Sequence, residues 1–195
     1  MQDKVIRKKK IVVAATGASG ILILKECLQI IRQDQEYESV LIMSRSAVLT
    51  LEHEMDCKKE EIERLADQVY DPEEIGAGPA SGSYRTAGML IVPCSMKTVA
   101  GICSGYADNL ILRAADVTIK EQRPLVLAAR ETPLSPVHLR NLYELSKMPG
   151  VRIIPPMLTF YQKPECMQDM IRHIAAKLVE PFGIEAEGYR RWEGI

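Results

Sequence analysis

The sequence predicts an α/β fold with a doubly wound, mostly parallel sheet. Five apolar segments of strand length recur along the chain, and each is followed by a segment that favours helix. Strands that alternate with helices join through crossover connections, so they pair in parallel with helices on both faces of the sheet. The chain has 195 residues, of which 47% are hydrophobic, enough for one buried core and too few for two ordinary domains. We therefore expect one domain over residues 1–195.

The first predicted strand and the loop after it form the most informative stretch. Apolar β-branched residues from Ile11 onward run into Thr16-Gly17-Ala18-Ser19-Gly20, and a helix over residues 21–32 follows. Two glycines allow a sharp turn and a close approach of backbone to ligand, and the amides that open the helix favour an anion. A tight turn without a ligand and a phosphate-binding loop both agree with this pattern.

The second predicted strand, residues 39–43, ends at Ser44-Arg45. Dinucleotide-binding folds usually place an acidic residue here to hold a ribose diol, whereas a hydroxyl and a cation suit a phosphate. The pattern therefore argues against NAD. Residues 47–67 are charged and favour helix, and Asp71-Pro72 predicts a turn. Residues 76–86 are too rich in glycine and serine for regular structure, and they suit either a linker or a loop that covers a ligand.

The third predicted strand, residues 88–92, is followed by a second polar loop. Cys94-Ser95-Met96-Lys97-Thr98 places two hydroxyls and a lysine at the strand's carboxyl end, before a helix over residues 99–103. Ligands of open parallel sheets bind outside such strand ends, so this loop and residues 16–20 are expected to face one ligand. We interpret Cys94 as a small hydrophobic residue at a tight turn rather than as a nucleophile.

The second half of the chain continues the alternation. A helix over residues 106–120, with Asp108 in its first turn, precedes a strand at residues 125–129. The pair Arg130-Glu131 follows that strand, where it can contact a ligand or form a surface ion pair. The remaining predicted elements are a helix at residues 135–147, a strand at 151–154, an amphipathic helix at 167–179 and a tail at 181–195. Trp192 in the tail is expected to pack on a neighbouring subunit or on the core of its own chain.

Composition excludes several classes of function. The 25 lysines and arginines nearly balance the 26 aspartates and glutamates, so no overall field attracts nucleic acid or an anionic membrane. Residues 1–10 are interpreted as a basic, solvated lead-in, and no apolar run reaches membrane-spanning length. The five cysteines show no metal-type spacing with the three histidines. We expect a cytoplasmic protein without a structural metal.

Six motifs taken together resemble those of the UbiX-type flavin prenyltransferases. They are TGASG at residues 16–20, PCSMKT at 93–98, GYADNL at 105–110, RAADV at 113–117, RETPL at 130–134, and PP at 155–156 with FY at 160–161. The match runs in register over residues 11–184, and six motifs in order are far more specific than any one of them. The resemblance implies a flavodoxin-like or Rossmann-like three-layer sandwich that binds FMN.

The resemblance also implies an activity and its partners. Members of the family join a dimethylallyl group, from dimethylallyl phosphate, to N5 and C6 of reduced FMN, without a metal. The product, prenylated FMN, is the cofactor of UbiD-type decarboxylases. The family assembles its prenyl site between subunits of a dodecamer, so a monomer is expected to be poorly active.

Site residues carry over from the matching motifs. The implied FMN contacts are Gly17, Ala18, Ser19, Ser44, Ser95, Met96, Lys97, Thr98 and Arg130. The implied contacts of dimethylallyl phosphate are Lys120, Arg130, Tyr161 and Lys177, and the implied catalytic residues are Ser19, Glu54, Lys120 and Glu131. Lys177 stands where members frequently have arginine, so it keeps the charge but not the bidentate geometry. The alternatives are an FMN-dependent decarboxylase, or a decarboxylase subunit, and a flavin carrier.

Overall fold

The computed structural model describes residues 8–192 and residue 194. The strands in this part of the chain are β1 (Lys9–Ala15), β2 (Tyr37–Met43), β3 (Gln68–Tyr70), β4 (Gly88–Cys94), β5 (Leu125–Ala129) and β6 (Val151–Ile153). The helices are α1 (Ile21–Gln33), α2 (Arg45–Glu54), α3 (Lys59–Glu63), α4 (Met96–Ser104), α5 (Leu110–Lys120), α6 (Pro136–Ser146) and α7 (Met167–Val179). Single 3-10 turns lie at Gly78–Ala80 and Glu180–Phe182.

All six strands form one parallel sheet in the order β3-β2-β1-β4-β5-β6. The chain therefore reverses its direction of travel across the sheet between β1 and β4, which lie side by side. In open parallel sheets the crevice at the carboxyl ends of two such strands is the usual ligand site. The predicted doubly wound sheet is confirmed, and the loops after β1 and β4 open into this crevice.

Helices cover both faces of the sheet and give the predicted three layers. Apolar side chains of α1, α2 and α7 share one core with one face of the strands. Those of α4, α5 and α6 share a second core with the opposite face. The central strands are apolar on both faces because each face packs against helices, and their side chains are almost completely buried.

Some element bounds differ from the sequence-based prediction. The bounds of β5 are as predicted, as are those of α7. The three-residue edge strand β3 was missed, because its central side chain, Val69, is 43% exposed and so leaves no buried apolar run in the sequence. The helix predicted from residue 106 begins only at Leu110, since the side chain of Asn109 caps it by accepting the amide of Leu112 at 3.0 Å. Asp108 therefore precedes the helix and is not in its first turn.

The described part of the basic lead-in and the glycine-rich loop both lie away from the crevice. Within the predicted lead-in, Lys9 and Lys10 belong to β1, while residues 1–7 lie outside the described part. The loop of residues 76–86 is held by Arg123, whose guanidinium donates to the carbonyls of Gly82 at 2.7 Å and Tyr84 at 3.0 Å. Arg123 lies just before β5, so this loop is at the amino edge of the sheet and does not cover the crevice of its own chain. None of the described helices is long and apolar enough to cross a bilayer.

Candidate active site

Thr16 links the two loops at the crevice. Its side chain is buried, and its hydroxyl accepts the amide of Ser95 at 2.8 Å and donates to the carbonyl of Pro93 at 3.2 Å. The amide of Thr16 also donates to the carbonyl of Pro93, at 3.0 Å. The loop after β1 is thereby fixed in position against the loop after β4.

Gly17 allows α2 to close on the first loop. A Cβ added at Gly17 would lie 2.5 Å from the Cβ of Ser46, which real Cβ atoms do not tolerate. Ser46 is in the first turn of α2. The N-cap of this helix is Ser44, and the hydroxyl of Ser44 accepts the amide of Ala47 at 3.1 Å. Glycine is required here because of close packing, and the start of α2 becomes a wall of the crevice.

The start of α4 forms the opposite wall. Ser95 is its N-cap and accepts the amide of Thr98 at 3.4 Å. The preceding amides in this turn, those of Met96 and Lys97, have no acceptor among the described residues. Amides of this kind, together with the helix dipole, favour a bound anion.

A cavity of about 410 Å³ lies between these walls. It is lined by Thr16, Gly17, Ser44, Ser46, Ser95, Met96, Lys97, Thr98, Asn109, Ile111, Leu112, Glu131 and His138. The structure thus brings together most of the residues expected to contact FMN, from three loops that are far apart in the sequence.

A second cavity, of about 280 Å³, adjoins the first and shares Gly17, Ser95, Met96 and Glu131 with it. Its other lining residues are Ala18, Ser19, Thr50 and Arg130. The amide of Arg130 donates to the carbonyl of Cys94 at 3.1 Å, which fixes the loop after β5 beside the loop after β4. Among the described residues Arg130 and Glu131 form no ion pair. One carboxylate oxygen of Glu131 accepts the amide of Thr132 at 3.1 Å, which leaves the other oxygen and the Arg130 guanidinium to a ligand.

Glu54 corrects the expectation that the start of α1 is a phosphate site. Its carboxylate accepts the amide of Gly20 at 3.0 Å and that of Ile21 at 2.9 Å. The positive end of α1 is therefore neutralised by the protein itself, and an external anion has no access to these amides. The same contact holds the Glu54 carboxylate one residue away from Ser19.

Lys120, Tyr161 and Lys177 do not reach either cavity in their own chain. Lys120 ends α5, so it lies at the amino edge of the sheet, where it bonds to Glu121 at 2.6 Å. Within one chain Lys120 therefore lies apart from Glu54 and Glu131, and its implied role stays a prediction that depends on a second subunit. Lys177 lies in the last turn of α7 and pairs with Glu180.

Tyr161 follows β6 and contacts the tail and α7. Its ring lies 5.4 Å from that of Trp192 and 6.3 Å from that of His173, one turn before Lys177 on α7. Trp192 thus packs on its own chain and is 57% exposed. Tyr161 and Lys177 form a surface separate from the crevice.

Cys94 ends β4, directly before the second loop of the crevice, but is not reactive. Its side chain has no exposed surface, and burial raises the pKa of its thiol to about 12. Because the thiolate is the nucleophile, a thiol with this pKa is inert near neutral pH. This agrees with its interpretation as a small hydrophobic residue.

Several lining residues were not predicted as site residues. Ser46, Thr50, Asn109 and His138 all face the cavities. Asn109 could have been recognised from its N-cap position, since α5 leads into β5 and a helix that precedes a parallel strand begins at the ligand edge. Nothing in the spacing of His138 indicates that it faces the same cavity as Ser44.

Comparisons with known proteins agree with this geometry. The Flavoprotein family model matches residues 2–180. The chain is 50% identical over 186 residues to the flavin prenyltransferase LpdB of Lactiplantibacillus plantarum, covering 95% of this chain and 99% of that protein. The crystal structure of AnUbiX (PadA1) in complex with FMN and dimethylallyl pyrophosphate superposes with a TM-score of 0.94 at 42% identity, covering 97% of this chain and 100% of the other.

A second solved structure extends the comparison. It is described as a dodecameric FMN-dependent UbiX-like decarboxylase from Escherichia coli O157:H7, and it superposes with a TM-score of 0.92 at 45% identity, covering 95% of this chain and 100% of the other. The similarity in sequence and structure extends over nearly the whole length of each protein compared. The chain belongs to the family of UbiX-like flavin prenyltransferases.

Proposed function

We propose that the protein transfers the dimethylallyl group of dimethylallyl phosphate to N5 and C6 of reduced FMN. The observation that carries the proposal is the convergence of Ser19, Arg130 and Glu131 in one cavity. That cavity adjoins a second one whose walls suit a nucleotide. Relatives of this chain that are 45–50% identical are named as flavin prenyltransferases.

The first cavity has the properties that FMN requires. Two helices begin at its walls, at Ser44 and Ser95, and the missing side chain of Gly17 lets α2 pack closely on the first loop at Ser46. Hydroxyls and helix amides suit the ribityl chain and the phosphate. In this proposal Gly17, Ala18, Ser19, Ser44, Ser95, Met96, Lys97, Thr98 and Arg130 hold the flavin nucleotide.

The residues of the second cavity suit allylic transfer. Reduced FMN, when bound, supplies the nucleophilic N5 and C6. Negative charge develops on the departing phosphate as its bond to the prenyl carbon breaks, and the guanidinium of Arg130 stabilises that charge. The bond to N5 replaces the bond between the prenyl carbon and the phosphate oxygen, and the proton that N5 loses goes to the departing phosphate. The bond to C6 forms from the C=C bond of the prenyl group, which takes up one proton, and Glu131 accepts the proton that C6 loses. Ser19 forms a hydrogen bond at the flavin edge. Glu54, which is held next to Ser19, completes the polar site.

The proposed site needs a second subunit. Tyr161 and Lys177 lie outside the crevice of their own chain, and Lys120 lies at the opposite edge of the sheet. We propose a dodecamer like that described for the Escherichia coli protein, in which these residues of one subunit complete the cavity of another. The exposed phenol of Tyr161 and the exposed ammonium group of Lys177 then bind the prenyl phosphate.

We further propose that a UbiD-type decarboxylase receives the prenylated FMN. The cofactor is of use only to a protein that takes it up, so a recipient is required. All five cysteines are free, as in proteins of a reducing compartment, and we place the reaction in the cytoplasm.

The decisive experiment is an anaerobic incubation of the purified protein with reduced FMN and dimethylallyl phosphate. A flavin product heavier than FMN by one prenyl unit supports the proposal, and an unchanged flavin mass contradicts it. A parallel reaction with dimethylallyl pyrophosphate tests whether the donor bound to AnUbiX is also accepted here.

Two controls separate the alternative functions. Release of CO₂ from phenolic acids by the purified protein, with no second protein present, would favour the decarboxylase. Glu131→Ala tests the flavin carrier, because a carrier without catalytic function still activates its partner decarboxylase after this substitution. Ser19→Ala is expected to slow prenyl transfer more than it weakens FMN binding.

A further inference from the structure

His138 lies on the wall of the larger cavity and has no assigned role there. It is the third residue of α6, and its ring lines the same cavity as Ser44, Ser95 and Lys97. The other two histidines of the chain, His53 and His173, line neither cavity of the crevice. His138 is thus a half-buried histidine whose position suits contact with a ligand in this cavity.

The start of α6 determines which ring nitrogen carries the proton. Nδ1 of His138 accepts the amide of Ser135 at 3.3 Å, while the hydroxyl of Ser135 accepts the amide of His138 at 3.2 Å. This is a reciprocal capping box with histidine in the position that usually holds glutamate or glutamine. A nitrogen that accepts has no proton, so the hydrogen-bond network assigns the ring proton to Nε2.

The Nε2–H group has no acceptor among the residues that the structure describes. Glu131 lines the same cavity, but its carboxylate accepts the amide of Thr132, and no hydrogen bond or ion pair joins it to His138. The capping box also holds the ring in one orientation, so little rotamer entropy is lost when a ligand binds. The imidazole is therefore a preorganised hydrogen-bond donor, and a ligand in the cavity can supply its acceptor.

The rest of the cavity wall also presents donors. The hydroxyl oxygen of Ser44 accepts a helix amide, so its proton remains free to donate. The hydroxyls of Ser95 and Thr98 lie 3.1 Å apart and one donates to the other, so one of these two protons remains free. The amides of Met96 and Lys97 face the same space, and Lys97 adds a cation. Oxygen acceptors of a ligand match this wall, and FMN carries them on its phosphate, its ribityl chain and its ring carbonyls.

We propose that His138 binds the flavin nucleotide directly, by donating its Nε2–H to an oxygen of FMN. The inference rests on the proposed function, since it takes FMN as the occupant of this cavity. His138 is thus a cofactor-binding residue that the motif comparison does not reveal, and its tautomer is set by the start of the helix that carries it.

The test measures flavin affinity in three variants of the full-length protein, freed of flavin, by the quenching of FMN fluorescence. His138→Met removes the donor, and the loss of one hydrogen bond is expected to raise the Kd for FMN by about tenfold. His138→Gln keeps both a capping acceptor and an N–H donor, so its Kd is expected to stay within about threefold of the wild-type value. Ser135→Ala is the matched control, because it weakens the capping box but leaves the imidazole in place.

Riboflavin, which lacks the phosphate, identifies the acceptor. Equal losses of FMN and riboflavin affinity in His138→Met indicate a ring or ribityl oxygen, and a loss for FMN alone indicates the phosphate. Either result supports the proposal. An unchanged Kd in His138→Met, or equal losses in His138→Met and Ser135→Ala, overturns it. These readings require no turnover, so a wild-type protein that binds FMN without prenylating it would contradict the proposed function and leave this inference intact.

Discussion

The hydroxyl of Thr16 accepts the amide of Ser95 at 2.8 Å and thereby joins the two loops that form the crevice. The same hydroxyl donates to the carbonyl of Pro93, so one buried group satisfies two backbone groups of the neighbouring loop. The bond fixes the start of α4 relative to the loop after β1, and both carry residues proposed to hold FMN. We therefore expect Thr16 to couple stability to cofactor binding.

Thr16→Val tests this coupling. Valine has nearly the same shape but leaves the amide of Ser95 without an acceptor, at a cost of about 1–3 kcal/mol in the free energy of unfolding. The carbonyl of Pro93 keeps the backbone amide of residue 16 as its donor. Chemical denaturation and FMN titration should show lower stability together with lower affinity. Thr16→Ser keeps the hydroxyl and serves as the control. Full FMN affinity in Thr16→Val would show that the two loops are positioned independently of this bond.

Gly17→Ala tests whether α2 forms a wall of the site. The added Cβ overlaps that of Ser46, so α2 must move outward, and we expect weaker FMN binding with a lower melting temperature. The double variant Gly17→Ala, Ser46→Gly removes the overlap and should restore much of the affinity. Gly76→Ala, where a Cβ meets nothing within 4 Å, is the neutral control. A Gly17→Ala variant that binds FMN normally would contradict the assignment of this wall.

The sequence is sufficient to predict the sheet and the crevice, for an identifiable reason. Loops such as residues 16–20 and 94–98 follow buried strands, and the geometry of parallel sheets puts all such loops at one edge. Ser19, Arg130 and Glu131 could therefore be grouped without a structure. The same rule could have excluded Lys120 from the crevice of its own chain, because the end of a helix that precedes a strand lies at the opposite edge of the sheet.

Other features could not be predicted because they depend on side-chain contacts between distant segments. The partner of the α1 amides is Glu54, which lies at the end of a different helix, and no spacing in the sequence specifies that contact. The position of His138 on the cavity wall depends on how α6 packs beside α4. The three-residue strand β3 pairs at the sheet edge with little apolar burial, so hydrophobic periodicity does not detect it.

Glu54 has a structural and a proposed catalytic role, and substitutions separate the two. Glu54→Ala removes the acceptor of the Gly20 and Ile21 amides and is expected to cost about 1 kcal/mol of stability, as for the loss of a helix cap. Glu54→Gln keeps an acceptor oxygen and should be closer to the wild type in stability. Both variants should lose prenyl transfer if the carboxylate acts beside Ser19. Normal turnover in Glu54→Gln would restrict Glu54 to the capping role.

Mixed oligomers test the proposed sharing of the site between subunits. Ser19→Ala inactivates the cavity of its own chain, whereas Lys177→Ala inactivates the surface that it offers to a neighbour. Neither variant alone should prenylate FMN efficiently, and only Ser19 is proposed to touch the flavin. Coexpressed subunits carrying one substitution each should regain part of the activity, because some cavities then combine an intact Ser19 with an intact Lys177. Mixtures no more active than the separate variants would place Lys177 in the site of its own subunit or outside the reaction.

Acid is expected to loosen the packing of the tail at His173. Its ring lies 5.0 Å from that of Tyr189 and 6.3 Å from that of Tyr161. Burial, and then the nearby charge of Lys177, lower the pKa of His173 below its ordinary value of 6.5. The folded protein therefore binds this proton less readily than the unfolded chain does. The associated stability is fully present above pH 6.5 and is lost as the pH falls toward the lowered pKa.

The measurement is the melting temperature between pH 7.5 and pH 5 at constant ionic strength, a range set by the ordinary histidine pKa of about 6.5. His173→Gln removes the titrating group, so its melting temperature should fall less over this range than that of the wild type. His53→Gln, at an exposed position in α2, is the matched control and should follow the wild-type curve. The lowered pKa values of Asp169 and Glu180 shift their titration to more acidic pH, so they contribute mainly below this range. Parallel curves for the wild type and His173→Gln would show that the tail packs with the same strength on either protonation state of this ring.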